Sequence, residues 1–174
     1  MAGIMLRPMR ADDVEEIARI SKATGFFYPE EVEMARELAL EAAAAGDASG
    51  YHVHVATQDQ KAAGYVCFGP TPLTRGTWDI YWIAVDPQQQ RQGIGNRLMS
   101  LAEEEIRSRA GRLVLVETSS RELYEPTREF YKRLGYQEVS YIPDFYDVGD
   151  SRVTFAKNLS EGGVHTIRSW TAQL

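Results

Sequence analysis

The sharpest chemical signal is a run of seven residues, Gln90-Arg91-Gln92-Gly93-Ile94-Gly95-Asn96, set between a β-rich stretch and an amphipathic helical pattern. Two glycines at i and i+2 let the backbone turn tightly there and present consecutive N–H groups. A helix start also leaves its first donors without intrahelical partners and carries the positive end of the helix dipole. Such a place suits a phosphate or pyrophosphate. A bare strand-to-helix turn would use the same glycines, but the neighbouring Gln90 and Arg91 donors favour a ligand.

The sequence also discriminates among phosphate ligands. A nucleoside-triphosphate loop needs Gly-Lys-Ser/Thr, and no such run occurs. A dinucleotide fingerprint needs a third glycine where Leu98 stands, and it belongs to a first βα unit, whereas three candidate strands precede this one. Glu117, placed as a ribose-binding acid would be, keeps a dinucleotide-dependent enzyme as the weaker rival.

Other reactive residue types carry less. His52 and His54 share one strand face at i and i+2, but two histidines without a third ligand make a poor metal site, and packing is the expected role. Cys67 lies in an apolar run with no basic neighbour, which predicts a small core residue rather than a nucleophile. The alanines at 42–45 reflect helix propensity.

The elements that must position these residues follow from periodicity. Asp12 and Glu15 have capping-box-like spacing ahead of Val14, Ile17, Ala18 and Ser21, and predict a first helix after a short segment broken by Pro8. Pro29 opens a second helix over 30–45, closed by Gly46. Residues 51–57 and 63–68 read as an antiparallel hairpin, and 77–85 as a strand ended by Asp86-Pro87. A helix over 93–109 comes next. Four apolar residues at 113–116, reached through that helical crossover, have the pattern of a central parallel strand covered on both faces. A short helix over 127–134 and strands over 138–141 and 153–157 complete the order α-α-β-β-β-α-β-α-β-β, with 1–159 as one domain and 160–174 as a tail or extension.

Composition bounds the function class. The 174 residues are 44% hydrophobic and 25% charged, an ordinary globular mixture rather than a disordered or fibrous one. A net charge of −6 with no basic cluster argues against nucleic-acid partners. No stretch is apolar enough for a membrane span or a leader, and one cysteine permits no internal disulfide, so a soluble cytoplasmic protein is expected.

The run Trp82-Ile83-Ala84-Val85-Asp86-Pro87, then Gln90-x-x-Gly93-x-Gly95, and later Phe130-Tyr131-x-x-x-Gly135-Tyr136, resembles the GNAT superfamily of acyl-CoA-dependent N-acyltransferases, with similar element order over roughly 4–159. The resemblance implies an α+β protein with a GNAT-like α/β/α fold, a mixed, mostly antiparallel central sheet, and a parallel strand pair splaying at the acyl-CoA site. It implies that Gln90, Arg91, Gln92, Gly93, Ile94, Gly95 and Asn96 hold the pyrophosphate of acetyl-CoA, that the backbone of Ile83 and Val85 pairs with the pantetheine arm, and that Phe130 borders the cofactor. Where the family often has Asn and Ala before its Phe-Tyr pair, this chain has Tyr124 and Thr127.

Acyl transfer from a thioester to an amine needs a neutral amine, a site for the carbonyl oxyanion and a proton for the leaving thiolate. By resemblance Tyr131 protonates the thiolate, and an ordinary tyrosine pKa near 10 would make that transfer nearly balanced. Asp79 stands where several relatives carry an acidic general base acting through water, and strand N–H groups would serve the oxyanion. Simple alternation puts Asp79 on the same face as Tyr81, Ile83 and Val85. Phe26, Phe27, Tyr28, Tyr124, Phe145 and Tyr146, with Glu117, Asp144 and Asp147, would suit a cationic amine, and Arg75 or Arg121 could grip a carboxylate. The expected acceptor is the primary amine of a small molecule, such as an amino acid or peptide, attacked directly in a ternary complex without a metal, by a monomer or homodimer. The alternative is a non-catalytic acyl-CoA-binding regulator.

Overall fold

The computed structural model describes residues 3–160; the tail expected from the sequence lies beyond them except for Ser160. A seven-stranded sheet in the order β1-β2-β3-β4-β5-β7-β6 forms the middle layer. Its strands are β1 (Met5–Pro8), β2 (His52–Gln58), β3 (Lys61–Pro70), β4 (Thr77–Val85), β5 (Leu113–Ser119), β6 (Gln137–Asp147) and β7 (Asp150–Asn158). Helices α1 (Val14–Thr24) and α2 (Pro29–Ala45) cover one face, and α3 (Ile94–Ser108) and α4 (Glu125–Arg133) the other. All neighbouring strands are antiparallel except β4 and β5, as a helical crossover between them requires.

Two apolar cores follow from the two faces. Ile94, Leu98, Met99, Ala102 and Ile106 form the α3 stripe against Val66, Phe68, Ile80, Val114 and Phe155. Val14, Ile17 and Ile20 of α1 pack with Ala35 and Ala39 of α2 on Val53, Val55, Tyr65 and Cys67. Cys67 is buried in this second core, and desolvation pushes its thiol up to about 12, which keeps it an inert apolar filler. A partly buried ion pair joins α3 to the sheet: Lys157 Nζ lies 2.8 Å from Glu103 Oε2, and the Tyr136 hydroxyl lies 3.1 Å from Glu103 Oε1.

Several local expectations change. Residues 5–8 form an edge strand on β2; Pro8 ends it where no ladder donor is needed, and Met9 then donates its N–H to the Val53 carbonyl at 2.9 Å. Asp13 rather than Asp12 organises the start of α1, accepting the Arg10 N–H at 2.7 Å and pairing with Arg7 at 2.6 Å. Strand β6 is much longer than 138–141 and exposed along most of its length, because its hairpin with β7 supplies pairing that hydrophobic alternation does not announce.

Candidate functional site

The parallel pair β4–β5 is short. Its register runs from Thr77 opposite Leu113 to Ile80 opposite Val116 and stops there. Beyond that point β4 stays with β3 as far as Val85, while β5 stays with β7 as far as Ser119. A gap therefore opens between Tyr81–Val85 on one side and Glu117–Ser119 on the other. Asp86 donates its N–H to Ala63 on β3 at 2.9 Å, so strand alternation turns the N–H and C=O of Ile83 and Val85 away from β3 and into the gap. Among the described residues these groups have no strand partner on that side. They are an exposed edge onto which an extended, amide-bearing chain can add.

At the end of the gap lies the glycine-bearing loop. Arg91 and Gly93 both take positive φ, 63° and 77° respectively, and Gly93 caps α3 in the left-handed conformation. No backbone N–H from 90 to 96 donates to another described residue, and the first bond back onto the loop is Arg97 N–H to the Gly93 carbonyl at 3.1 Å. The side chains of Gln90, Arg91, Gln92 and Asn96 are exposed around these donors, while Ile94 anchors the helix start in the core. This is a nest of unpaired donors at a helix N-terminus, suited to an anion.

Gly95 has a different role from Gly93. It is helical, and a Cβ there would stand 3.3 Å from Cζ of Phe130 and 3.9 Å from Cγ2 of Val85. The missing side chain lets the end of β4, the start of α3 and the Phe130 ring of α4 converge. The two separated sequence motifs thus touch.

Tyr131 and Asp79 sit at adjacent levels of the sheet, where the gap begins. The Tyr131 ring lies 5.9 Å from that of Phe155, which is opposite Val116; Asp79 is opposite Leu115. Tyr131 belongs to the α3-side core, 4% exposed, and its hydroxyl has no hydrogen-bond partner among the described residues. Desolvation holds that hydroxyl well above its ordinary pKa, which corrects the expectation of an unperturbed phenol: the group carries its proton throughout the neutral range.

The face assigned to Asp79 by simple alternation is also corrected. The β3–β4 register passes from Phe68 opposite Ile80 to Cys67 opposite Trp82, so Tyr81 is an extra, bulged residue. Trp78, Ile80, Ile83 and Val85 pack into the α3-side core, whereas Tyr81, Trp82 and Ala84 pack into the α1–α2 core. Asp79, between Trp78 and Ile80, therefore projects on the α1–α2 face with Tyr81 and opposite to Ile83 and Val85. Its carboxylate accepts the Thr71 hydroxyl at 2.6 Å, and together with burial it helps push the Tyr81 phenol up to about 12. Thr71 was missed in the sequence because a contact from the β3–β4 loop leaves no periodic signal.

The α1–α2 side of the gap is walled by aromatics. The Tyr124 hydroxyl donates to the Phe26 carbonyl at 2.9 Å, so Tyr124 ties the α1–α2 loop to the turn before α4. The Arg121 guanidinium pairs with Asp150 at 3.1 Å, donates to the Tyr28 hydroxyl at 2.9 Å and stacks over the Tyr28 and Tyr124 rings. Arg75 lies just before the N-terminal end of β4, where its backbone carbonyl accepts the Arg112 Nε–H at 2.9 Å. His52 and His54 stack on Phe68 and face Glu105 at 3.4 Å and 3.3 Å; no group of metal-ligating side chains arranged to hold an ion occurs among the described residues.

Comparison with known proteins agrees with this geometry. The model of the acetyltransferase (GNAT) domain matches residues 49–138. A structure from Desulfovibrio desulfuricans, assigned to the GNAT acetyltransferase family, is 40% identical with a TM-score of 0.88, covering 91% of this chain and 100% of that one. At 18% identity and a TM-score of 0.70, an aminoglycoside 6'-N-acetyltransferase complexed with coenzyme A shares the fold over 90% of this chain and 97% of its own. The ribosomal-protein-S18-alanine N-acetyltransferase of Escherichia coli does so at 20% identity and a TM-score of 0.72, over 94% of this chain and 98% of its own. No curated protein sequence matches significantly.

Proposed function

The chain belongs to the GNAT acetyltransferase family, and on that premise we propose that it moves an acetyl group from acetyl-CoA to the primary amine of a small molecule by direct attack in a ternary complex. The observation that carries this reading is the run of backbone donors at 90–96 with no protein acceptor among the described residues, leading directly into the β4 edge at Ile83 and Val85 that has no strand partner there. The loop and the dipole of α3 hold the pyrophosphate, with Gln90, Arg91, Gln92 and Asn96 supplying further donors around Gly93, Ile94 and Gly95. The edge pairs with the amides of the pantetheine arm and leads the thioester toward the level of Asp79 and Tyr131. Phe130 closes the cofactor side against Gly95.

The chemistry divides between the two faces of the sheet. On the α1–α2 face Asp79, through water, takes a proton from the incoming ammonium. The nitrogen lone pair then forms the N–C bond at the acyl carbon, the oxyanion is met by strand N–H groups in the gap, and collapse breaks the C–S bond. On the α3 face Tyr131 gives its proton to the departing thiolate, the nitrogen releases its second proton to solvent to leave the neutral amide, and solvent restores the phenol. The products are an amide and coenzyme A, and no metal takes part. The buried, reduced Cys67 accords with a cytoplasmic setting.

Calorimetry with acetyl-CoA, NAD and ATP, followed by an amine panel read by release of free thiol, tests this reading. Acetyl-CoA is expected to bind tightest and at least one amine to release thiol at a rate proportional to enzyme. Tighter binding of NAD, or acetyl-CoA binding without transfer to any amine, overturns it.

A further inference from the structure

The wall on the acceptor side narrows the class of amine, an inference that rests on the proposed transfer reaction. Three arginines stand there, and each is already hydrogen-bonded within the protein, two of them to a carboxylate. Arg121 is held by Asp150, Ser119 and Tyr28. Arg128 donates to the carbonyls of Ser119 and Arg121 at 2.7 and 2.9 Å. Arg152 pairs with Glu117 at 3.2 Å beneath the Phe145 ring, 4.2 Å from its centroid, and its Nε is buried out of reach of a ligand. These guanidiniums brace the wall by joining β5, β7 and the turn before α4.

The carboxylates are not balanced in the same way. Neither Asp79 nor Glu31 has a cationic partner among the described residues: Asp79 is bonded to Thr71, and Glu31 accepts the Tyr28 N–H at 2.8 Å. Burial is the main influence that pushes the Tyr146 hydroxyl up to about 12; Glu117, Asp150 and Glu31 add to it, and Arg152 opposes them. Between these charges stand half-exposed aromatic rings, Tyr28, Phe145 and Tyr146, 51%, 48% and 46% exposed. Such a surface attracts a cation and an apolar body together, and it repels a second negative charge next to the amine.

We infer that the acceptor is a primary amine carried beside an aromatic or similarly bulky apolar group, with no free carboxylate on the carbon that bears the nitrogen. A free α-amino acid would bring its carboxylate among Asp79, Glu31 and Glu117, while Arg121 and Arg152 are paired with Asp150 and Glu117 and Arg128 is turned onto backbone carbonyls. An amide or a hydrogen in that place removes the conflict.

Matched acceptors test this on the wild-type enzyme with acetyl-CoA: phenylalanine, phenylalaninamide, 2-phenylethylamine and alaninamide, with kcat/KM expressed per neutral amine because the amide lowers the amine pKa. Phenylalaninamide and 2-phenylethylamine are expected to exceed phenylalanine by at least about 100-fold, and phenylalaninamide to exceed alaninamide by about tenfold. Phenylalanine within threefold of its amide overturns the carboxylate exclusion while leaving acetyl transfer intact. Alaninamide equal to phenylalaninamide overturns the aromatic preference in the same way. No thiol release with any of the four, although acetyl-CoA binds, overturns the inference together with the reaction it rests on. As a second arm, E117Q leaves Arg152 without its carboxylate and is expected to shrink the amide-to-acid ratio at least about fivefold. An unchanged ratio in the folded variant overturns the assignment of the exclusion to this wall.

Discussion

Tyr131 is buried among Phe130, Tyr136 and Phe155, and its phenol is held protonated by desolvation. Replacing it by phenylalanine keeps the ring packing and removes only the proton. Y131F is therefore expected to lose about 10- to 1000-fold in kcat with little change in acetyl-CoA affinity, measured by steady-state kinetics and calorimetry. Asp79 stands across the sheet and, among the described residues, is bonded only to the Thr71 hydroxyl. If it takes the ammonium proton through water, D79N lowers kcat most on the acid side of the profile, and raising the pH partly restores it, because solvent then does the deprotonation. A carboxylate that only attracted the cationic acceptor would instead raise the acceptor KM at unchanged kcat. The pH–rate profile at saturating acceptor separates the two.

At the scale of elements, the site depends on where two strands part and on how closely two helices approach that place. The loop before α3 needs a left-handed residue at Gly93, whereas Gly95 needs no special backbone angle but must leave room for Phe130. The two requirements can be separated by substitution. G95A asks Phe130 to give by a few tenths of an ångström, since its Cβ would lie 3.3 Å away, and G95E adds a carboxylate beside the donor run. The expected result is a modest loss of acetyl-CoA affinity in G95A and a loss at least about tenfold larger in G95E, read by calorimetry. Equal affinities in the two variants would mean that the anion does not sit there.

For the whole molecule, acid stability is set in two windows. His52 and His54 are held below their ordinary pKa chiefly by burial; Arg109 adds to that effect, and Glu105 opposes it. A lowered histidine pKa means that the unfolded chain binds the proton more readily, so stability is complete above about pH 6.5 and falls as the pH drops below it. For Asp13 burial is the largest influence and raises the pKa, but bonds from Arg7 and Arg10 outweigh it; for Asp86 the largest influence is the Arg19 bond, and both carboxyls end below their ordinary range. They contribute stability above about pH 4 that is lost on further acidification through their folded pKa values. Urea unfolding between pH 7.5 and 3 is expected to show both declines, and replacing His52 and His54 with glutamine should remove the first while leaving the second.

The sequence by itself determined what depends on neighbours along the chain. Helical spacing at Ile94, Leu98, Ala102 and Ile106, the four-residue apolar run opening at Leu113, and the positive-φ glycine at Gly93 all announce themselves locally, because periodicity and backbone sterics act over a few residues. Those signals sufficed for the crossover helix, the parallel pair it joins and the tight turn at its start. Only the tertiary structure decided which face Asp79 occupies, because the bulge at Tyr81 exists in the pairing of β3 with β4 and leaves no mark in β4 alone. Likewise the commitment of Arg121 to Asp150, of Thr71 to Asp79, and of Glu105 to two histidines on another strand required segments distant in sequence to be packed together. A carboxylate or guanidinium reads the same in a sequence whether it is free or spent. Its partner, supplied by the fold, determines which of the two it is.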